Sequence, residues 1–304
     1  MLASGVSLTP APEATAHELL LAEWRVLGLP WCPPEVPYPL YRHTSRASLR
    51  GFQYLRNVGG HADAAALLRK SLALRGRLPE GLEEVARLMF RGSRGFREVT
   101  PGHWAIVLDG DVLEMLRAGR FVVFDLETTG GKPPTERITE VGAVRIERGR
   151  LTERFQTLVN PDKPIPPFVA RLTGITNKKV RRAPKIEAVL PRFLEFIEGY
   201  LPIAHDVFQD LRFIDQELMT LYDGVLALPV LDTLVLAKEL VQPEIGYSLR
   251  KVAEHMQLDA GSSHRALDDA LVTAQLFLRF MEIKGEGAFE QLLSGYVFTE
   301  EEPT

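Results

Sequence analysis

Two hydrophobic rhythms divide this chain near residue 120. Before it, apolar positions recur at helical spacing: Ala64, Leu67, Leu68 and Leu72 predict one helix. Leu82, Val85, Ala86, Met89 and Phe90 predict another, with Pro79 in its first turn. A helix is also expected around residues 14–27, followed by the proline-rich LPWCPPEVPYPL, which enforces an extended arm. FREVTPGHWAIVL then reads as two short strands about a Thr100-Pro101-Gly102 turn. Helices closed by a hairpin resemble a winged-helix module, whose helix and wing could touch nucleic acid. Past residue 120 the rhythm changes. FVVFDLETTG is an apolar β-run, ITEVGAVRIERGRL a second strand and FQTLVN a third. PKIEAVLPRFLEFIE is an amphipathic helix, LPIAHD a short buried strand, and helices follow at about 208–220, 233–240, 248–256 and 265–283. A meander followed by alternating strands and helices predicts an α/β domain with a mixed central sheet.

This pattern suggests three segments: a smaller, mainly helical domain at 1–117, an α/β domain at 118–285, and an acidic tail at 286–304. Composition narrows the class without naming it. The 304 residues are 45% hydrophobic and 25% charged, as expected for a globular protein. No apolar run is long enough to span a membrane, and the N-terminus lacks the features of a secretory signal, so a cytoplasmic location is expected. Cys32 is the single cysteine, which excludes an internal disulfide and a cysteine-rich zinc site. The net charge of −4 hides an asymmetry. From Arg42 to Arg97 twelve basic residues stand against four acidic ones, so this segment carries +8 and the remainder −12. One region can attract phosphates while another concentrates carboxylates.

The carboxylates suggest chemistry. Asp125 and Glu127 lie two apart on a strand and so project to one side. They follow the apolar run Phe121-Val122-Val123-Phe124, where uncompensated charge would be costly. A hard divalent cation resolves that cost, unless the strand has already ended and both acids are solvated. Asp210 follows LPIAHD, where an acid can equally serve the N-terminus of a helix. SHRALDDALVTAQLF is a helix apolar on nearly every side, so an acid on it needs a partner; spacing alone does not separate Asp268 from Asp269. His264, just ahead of it, could be a cap or a core histidine.

Taken together, DLET, HDVFQD and HRALDDA resemble the motifs of the DEDDh exonucleases, the superfamily of replicative epsilon-type proofreading subunits. The resemblance runs from about Arg120 to Lys284. The connecting VNPDKPIPPFVARLTGIT is similar to exonuclease domains of Gram-positive-type replicative polymerases and of helicase-fused exonucleases. It implies a ribonuclease H-like fold and metal-dependent removal of nucleoside 5′-monophosphates from the 3′ ends of DNA, single-stranded or frayed, in proofreading or repair. Asp125, Glu127, Asp210 and Asp269 would hold two Mg²⁺ or Mn²⁺ ions, with His264 as general base; the spacing HxAxxD selects Asp269 over Asp268. A DNA polymerase or another replication or repair protein is the implied partner. The RNA-processing exonucleases of the superfamily look alike at these motifs, and a non-catalytic accessory module on the same scaffold is a further alternative. The second motif departs from the usual His-Asn-Ala-x-Phe-Asp: Asp206 replaces an amide and Gln209 an aromatic, which implies altered support or substrate affinity. Gly130-Gly131-Lys132 lacks the P-loop pattern and implies no ATP site. Gln275-Leu276-Phe277, which could suggest a sliding-clamp peptide, reads as core packing.

Overall fold

The computed structural model describes residues 40–41, 45–76, 81–90, 95–108, 110–241, 246–259, 264–285, 287–292 and 297–298. All lie within one compact unit, residues 37–304. The helix expected at 14–27, the proline-rich arm up to residue 39 and the acidic end at 299–304 fall outside the described residues.

After the short strand β1 (Leu40–Tyr41), the first half runs α1 (Arg46–Asn57), β2 (His61–Asp63), α2 (Ala64–Ser71), α3 (Leu82–Phe90), β3 (Phe96–Thr100) and β4 (His103–Leu108). Strand β4 pairs antiparallel with both β2 and β3. Helix, strand, two helices and a hairpin thus follow one another, with the first strand joining the hairpin's second. Its core is aromatic: Phe90 stacks on Phe96 at 4.6 Å between ring centroids and meets Trp104 edge-on at 5.7 Å. Gly51 lets α1 approach α2, since a Cβ there would lie 2.6 Å from Ser71 Oγ and 3.3 Å from Leu67 Cδ1.

Helix α4 (Gly110–Arg117) leads into the second half: β5 (Arg120–Thr128), β6 (Ile138–Glu147), β7 (Arg150–Leu158), α5 (Pro167–Thr173), α6 (Asn177–Val180), α7 (Ile186–Ile197), β8 (Leu201–Ala204), α8 (Val207–Tyr222), β9 (Val225–Leu226), β10 (Leu231–Asp232), α9 (Thr233–Leu240), α10 (Leu249–His255) and α11 (Ala266–Lys284). The main sheet has the order β10-β8-β5-β6-β7. Strands β5, β6 and β7 form an antiparallel meander, while β8 and β10 join in parallel beside β5. The mixed α/β sheet is the one the strand pattern predicts.

Strand β5 is apolar on both faces because both are covered. Phe121 meets Phe277 of α11 at 5.0 Å, and Phe124, on the opposite face, meets Phe193 of α7 at 5.7 Å. Asp125 and Glu127 share the parity of Phe121, so they face α11. The stretch between β7 and α7 contributes its own small core of Ile165, Val169, Ile175 and Val180.

The two halves are joined by a buried ion pair. Arg56 of α1 donates from Nη2 to Asp215 Oδ2 of α8 at 2.5 Å and from Nη1 to Oδ1 at 3.1 Å. Gln53 Nε2 and the Leu226 amide also donate to Asp215, at 3.0 and 3.1 Å. Both charges are thus fully engaged, and removing either would strand the other at a cost of about 3–5 kcal/mol. Strand β1 adds to the junction by pairing antiparallel with β9. Within the segment read as an acidic tail, Val297–Phe298 pairs in parallel with Val107–Leu108 of β4.

Candidate active site

The site is assembled from three separated segments. Strand β5 supplies Asp125 and Glu127, the first turn of α8 supplies Asp210, and the start of α11 supplies Asp269, with His264 just before it. One ligand atom each from Glu127, His264 and Asp269 lies within 4.8 Å of the others. Asp125 and Asp210 join this group electrostatically. Burial pushes the Asp125 carboxyl well above its ordinary range, and the charges of Asp210, Asp269, Glu127 and Glu140 push the same way. Asp210 is raised by burial, then by Glu127, Asp206 and Asp232, against a hydrogen bond from the Leu126 backbone. Burial, Asp269 and Glu140 push Glu127 up to about 8, against the pull of Arg265. Burial raises Asp269 too, while a hydrogen bond from the His264 amide opposes it.

Two features aim α11 at the sheet. Gly142 of β6 lies opposite Asp125 in register. A Cβ at Gly142 would stand 2.2 Å from both the Ala266 carbonyl carbon and the Leu267 nitrogen, so only glycine lets the helix start sit so close. Glu140, opposite Glu127, is fully buried and holds the same end. It accepts from Arg265 Nε at 3.0 Å, Arg265 Nη2 at 2.6 Å, the Ala266 amide at 3.2 Å and Gln156 Nε2 at 2.9 Å. Burial pushes Glu140 up, but these hydrogen bonds outweigh it and leave its pKa below the ordinary value. Neither Glu140 nor Gly142 stood out as a candidate in the sequence, where both read as ordinary strand positions. The usable signal was an acid inside the apolar run Ile138-Thr139-Glu140-Val141.

His264 adopts a φ of 73°, and its backbone amide donates to Asp269 Oδ2 at 3.0 Å. This turn places the imidazole and the carboxylate on one side. Asp268, the neighbour that spacing could not separate, has no ligand atom in the three-residue group.

The unusual second motif also has a local account. Asp206 is left-handed, with φ 57° and ψ 50°, a conformation that Asn and Asp both tolerate. The exchange of amide for acid therefore keeps the backbone. The turn is fixed by Asp232, which accepts from the Asp206 amide at 3.0 Å, and by His205, whose ring nitrogens contact Thr233 Oγ1 and the Tyr247 carbonyl at 2.9 and 2.8 Å. Gln209 is exposed, so no packing partner is lost where an aromatic is usual.

The chain is 42% identical over 164 residues to a PolC-type DNA polymerase III of Caldanaerobacter subterraneus subsp. tengcongensis, covering 54% of this chain and 12% of that one. It is 40% identical over 164 residues to a DNA polymerase III subunit epsilon of Aquifex aeolicus, covering 54% of this chain and 81% of the relative. Among solved structures, exonuclease I shares the fold at a TM-score of 0.50 and 17% identity, covering 57% of this chain and 42% of that one. The matched segment is therefore only a small part of the PolC-type polymerase but most of the epsilon subunit. The sequence profile of the exonuclease family matches residues 122–277, just over half of the chain, and the chain belongs to the DEDDh 3′→5′ exonuclease family.

Proposed function

We propose that the protein removes nucleoside 5′-monophosphates from the 3′ ends of single-stranded or frayed DNA, using two divalent cations held by Asp125, Glu127, Asp210 and Asp269. The observation that carries this reading is the convergence of four buried or half-buried carboxylates, each raised by its own burial and by its neighbours. Such a group lacks positive charge. Arg265 is the adjacent cation, and Glu140 engages it. An oxygen-rich donor set with this deficit fits Mg²⁺ or Mn²⁺.

When bound, two such ions supply charge that activates the attacking water and stabilises the leaving 3′-oxygen. The chain's own residues do the rest. An imidazole nitrogen of His264 takes the proton of the attacking water, the new P–O bond forms as the P–O3′ bond breaks, and the 3′-oxygen of the shortened strand takes a proton from solvent to leave as a hydroxyl. Glu140, Arg265 and Gly142 fix the start of α11, and through it the positions of Asp269 and His264. Similarity to the exonuclease segments of DNA polymerase III proteins favours DNA over RNA and a polymerase or repair protein as partner.

The test is digestion of 5′-labelled single-stranded DNA, matched and mismatched duplexes, and RNA with Mg²⁺ or Mn²⁺. Progressive shortening from the 3′ end, fastest on single-stranded or mismatched DNA, is expected. EDTA should stop it, and Asp125→Asn or Asp269→Asn should slow it by orders of magnitude. Near wild-type rates in both variants would overturn the metal assignment, and preferential digestion of RNA would overturn the substrate.

A further inference from the structure

A winged-helix reading of the first half invites the expectation that its third helix and its wing contact nucleic acid, but α3 is poorly suited. It opens with exposed Glu83 and Glu84, its Arg87 is held by Glu98 at 2.8 Å, and Leu88 is 76% exposed. An acidic and apolar helix repels phosphates. Among the described residues of this half, Arg50 and Lys70 line a shaped surface elsewhere.

Helices α1 and α2 meet α8 along a groove of about 800 Å³. Its walls carry Arg50 and Tyr54 from α1, Lys70 from α2, and Phe208 and Arg212 from α8, together with Pro133. Asp215 also lines it, but its charge is neutralised by Arg56. Arg212 lies over the exposed Phe208 ring at 5.6 Å, and Lys70 over Tyr54 at 5.9 Å. Each wall thus presents an aromatic ring with a cation beside it.

The groove and the reaction centre share the N-terminal end of α8. Phe208 and Asp210 share the first turn of α8, but two residues apart they lie on opposite sides of it, Phe208 exposed toward the groove and Asp210 buried. Pro133 belongs to the turn leaving the strand that carries Asp125 and Glu127. A strand whose 3′ end reaches the carboxylates can therefore enter this groove by crossing the N-terminal end of α8, one helix diameter of ~10 Å.

We infer that the groove holds the single-stranded DNA lying 5′ of the scissile nucleotide, with bases against Tyr54 and Phe208 and phosphates near Arg50, Lys70 and Arg212. Aromatic faces interleaved with cations are what a sequence-tolerant single-strand site requires. The inference deepens the exonuclease reading and rests on it for the identity of the strand. The first half then serves as a substrate clamp: Arg56 and Asp215 lock its helix α1 against the nuclease helix α8, while its acidic α3 stays off the DNA.

Binding tests this without requiring turnover. Fluorescence anisotropy of labelled oligo(dT) of 4 and 20 nucleotides, and of a labelled 20-base-pair duplex, would be measured on the full chain with Ca²⁺, across a salt series. In the wild type the 20-mer should bind well above the 4-mer. Lys70→Ala combined with Arg212→Ala should weaken 20-mer binding about tenfold and lower its salt slope by about 1.4, at ~0.7 per lost single-strand phosphate contact. Phe208→Ala should weaken it about fivefold or more at an unchanged slope. Arg50 is left intact because its Nε also bonds the Ser71 carbonyl. Unchanged melting temperatures would show that both variants fold; should either misfold, Lys70→Gln alone, on an exposed side chain, must still lower the slope. Equal 20-mer affinities and slopes in the wild type and the folded variants would overturn the groove. Losses confined to duplex DNA would overturn the single strand as its occupant. Failure of the exonuclease reading would show separately, as absence of hydrolysis in the digestion assay.

Discussion

Gly142 and Ala266 meet backbone to backbone: a Cβ on Gly142 would come within 2.2 Å of the Ala266 carbonyl carbon. Real atoms never pack so closely, so any side chain must drive α11 off the sheet. Gly142→Ala should cost about 1–3 kcal/mol, the usual range for overpacking. It should also displace Asp269 and His264 from Asp125 and Glu127. The expected signature is a loss of turnover much larger than the loss of stability. Urea unfolding and nuclease rates on the same preparations would check it, and full activity in the variant would refute the close approach.

Glu140 supports the same helix end by charge. Glu140→Ala removes the acceptor of Arg265, Gln156 and the Ala266 amide and should cost about 3 kcal/mol at pH 7. Arg265 is partly exposed and can turn to water, which limits the loss. Because the folded pKa of Glu140 is lowered, its contribution is present above the unfolded value, about 4.3. It is lost as pH falls through the folded value. The stability gap between Glu140→Gln and wild type should therefore shrink below about pH 4, which paired denaturation curves at pH 7 and pH 3.5 would show.

How much of this was legible in the sequence depended on periodicity. Asp125 and Glu127 share a face because a strand repeats every two residues, and β5 places them as that rule requires. The long helix carrying Asp269 follows from its apolar residues. Helix α1 was not legible, since Gly51 interrupts its apolar stripe; that glycine is there for contact with α2, a tertiary reason. Helix α5 was hidden among the prolines of PDKPIPPF, although Pro167 merely starts it. Glu140 went unread because its value lies in Arg265, 125 residues away. The Arg-rich segment was visible as charge, but which arginine is buried in an ion pair, as Arg56 is, and which lines a groove, as Arg50 does, is decided by packing alone.

The acid cluster links metal, protons and stability. Asp125, Asp210, Asp269 and Glu127 are all raised, Glu127 to about 8. The folded, metal-free chain thus keeps protons that the unfolded chain releases near pH 4. The stabilisation is full below that pH and is lost as pH rises toward 8. The melting temperature in EDTA should fall between pH 5 and pH 8, and Mg²⁺ should raise it far more at pH 8 than at pH 5. Glu127→Gln should flatten the fall in EDTA. A pH-independent melting temperature that Mg²⁺ does not move would refute the linkage, and calorimetry in buffers of different ionisation enthalpy would count the protons displaced by metal.

His264 makes two contributions, and the choice of variant separates them. Its backbone, at φ 73°, holds Asp269 through the amide, while its side chain is the proposed base. Alanine at that φ is strained by about 1–3 kcal/mol, whereas asparagine enters the left-handed region readily. His264→Asn should therefore keep the turn, the Asp269 hydrogen bond and the metal affinity, but lose the proton acceptor. Turnover should drop about 10²–10⁴-fold, the usual worth of a positioned general base. His264→Ala should lose at least as much turnover and some metal affinity as well. Wild-type rates should fall with decreasing pH, since a base that already carries a proton cannot accept another. A fall in the asparagine variant would then report the carboxylates alone, so comparing the two profiles separates base from metal site. If His264→Asn retains wild-type turnover and the same acid limb, the imidazole is not the base and the attacking water loses its proton by another route.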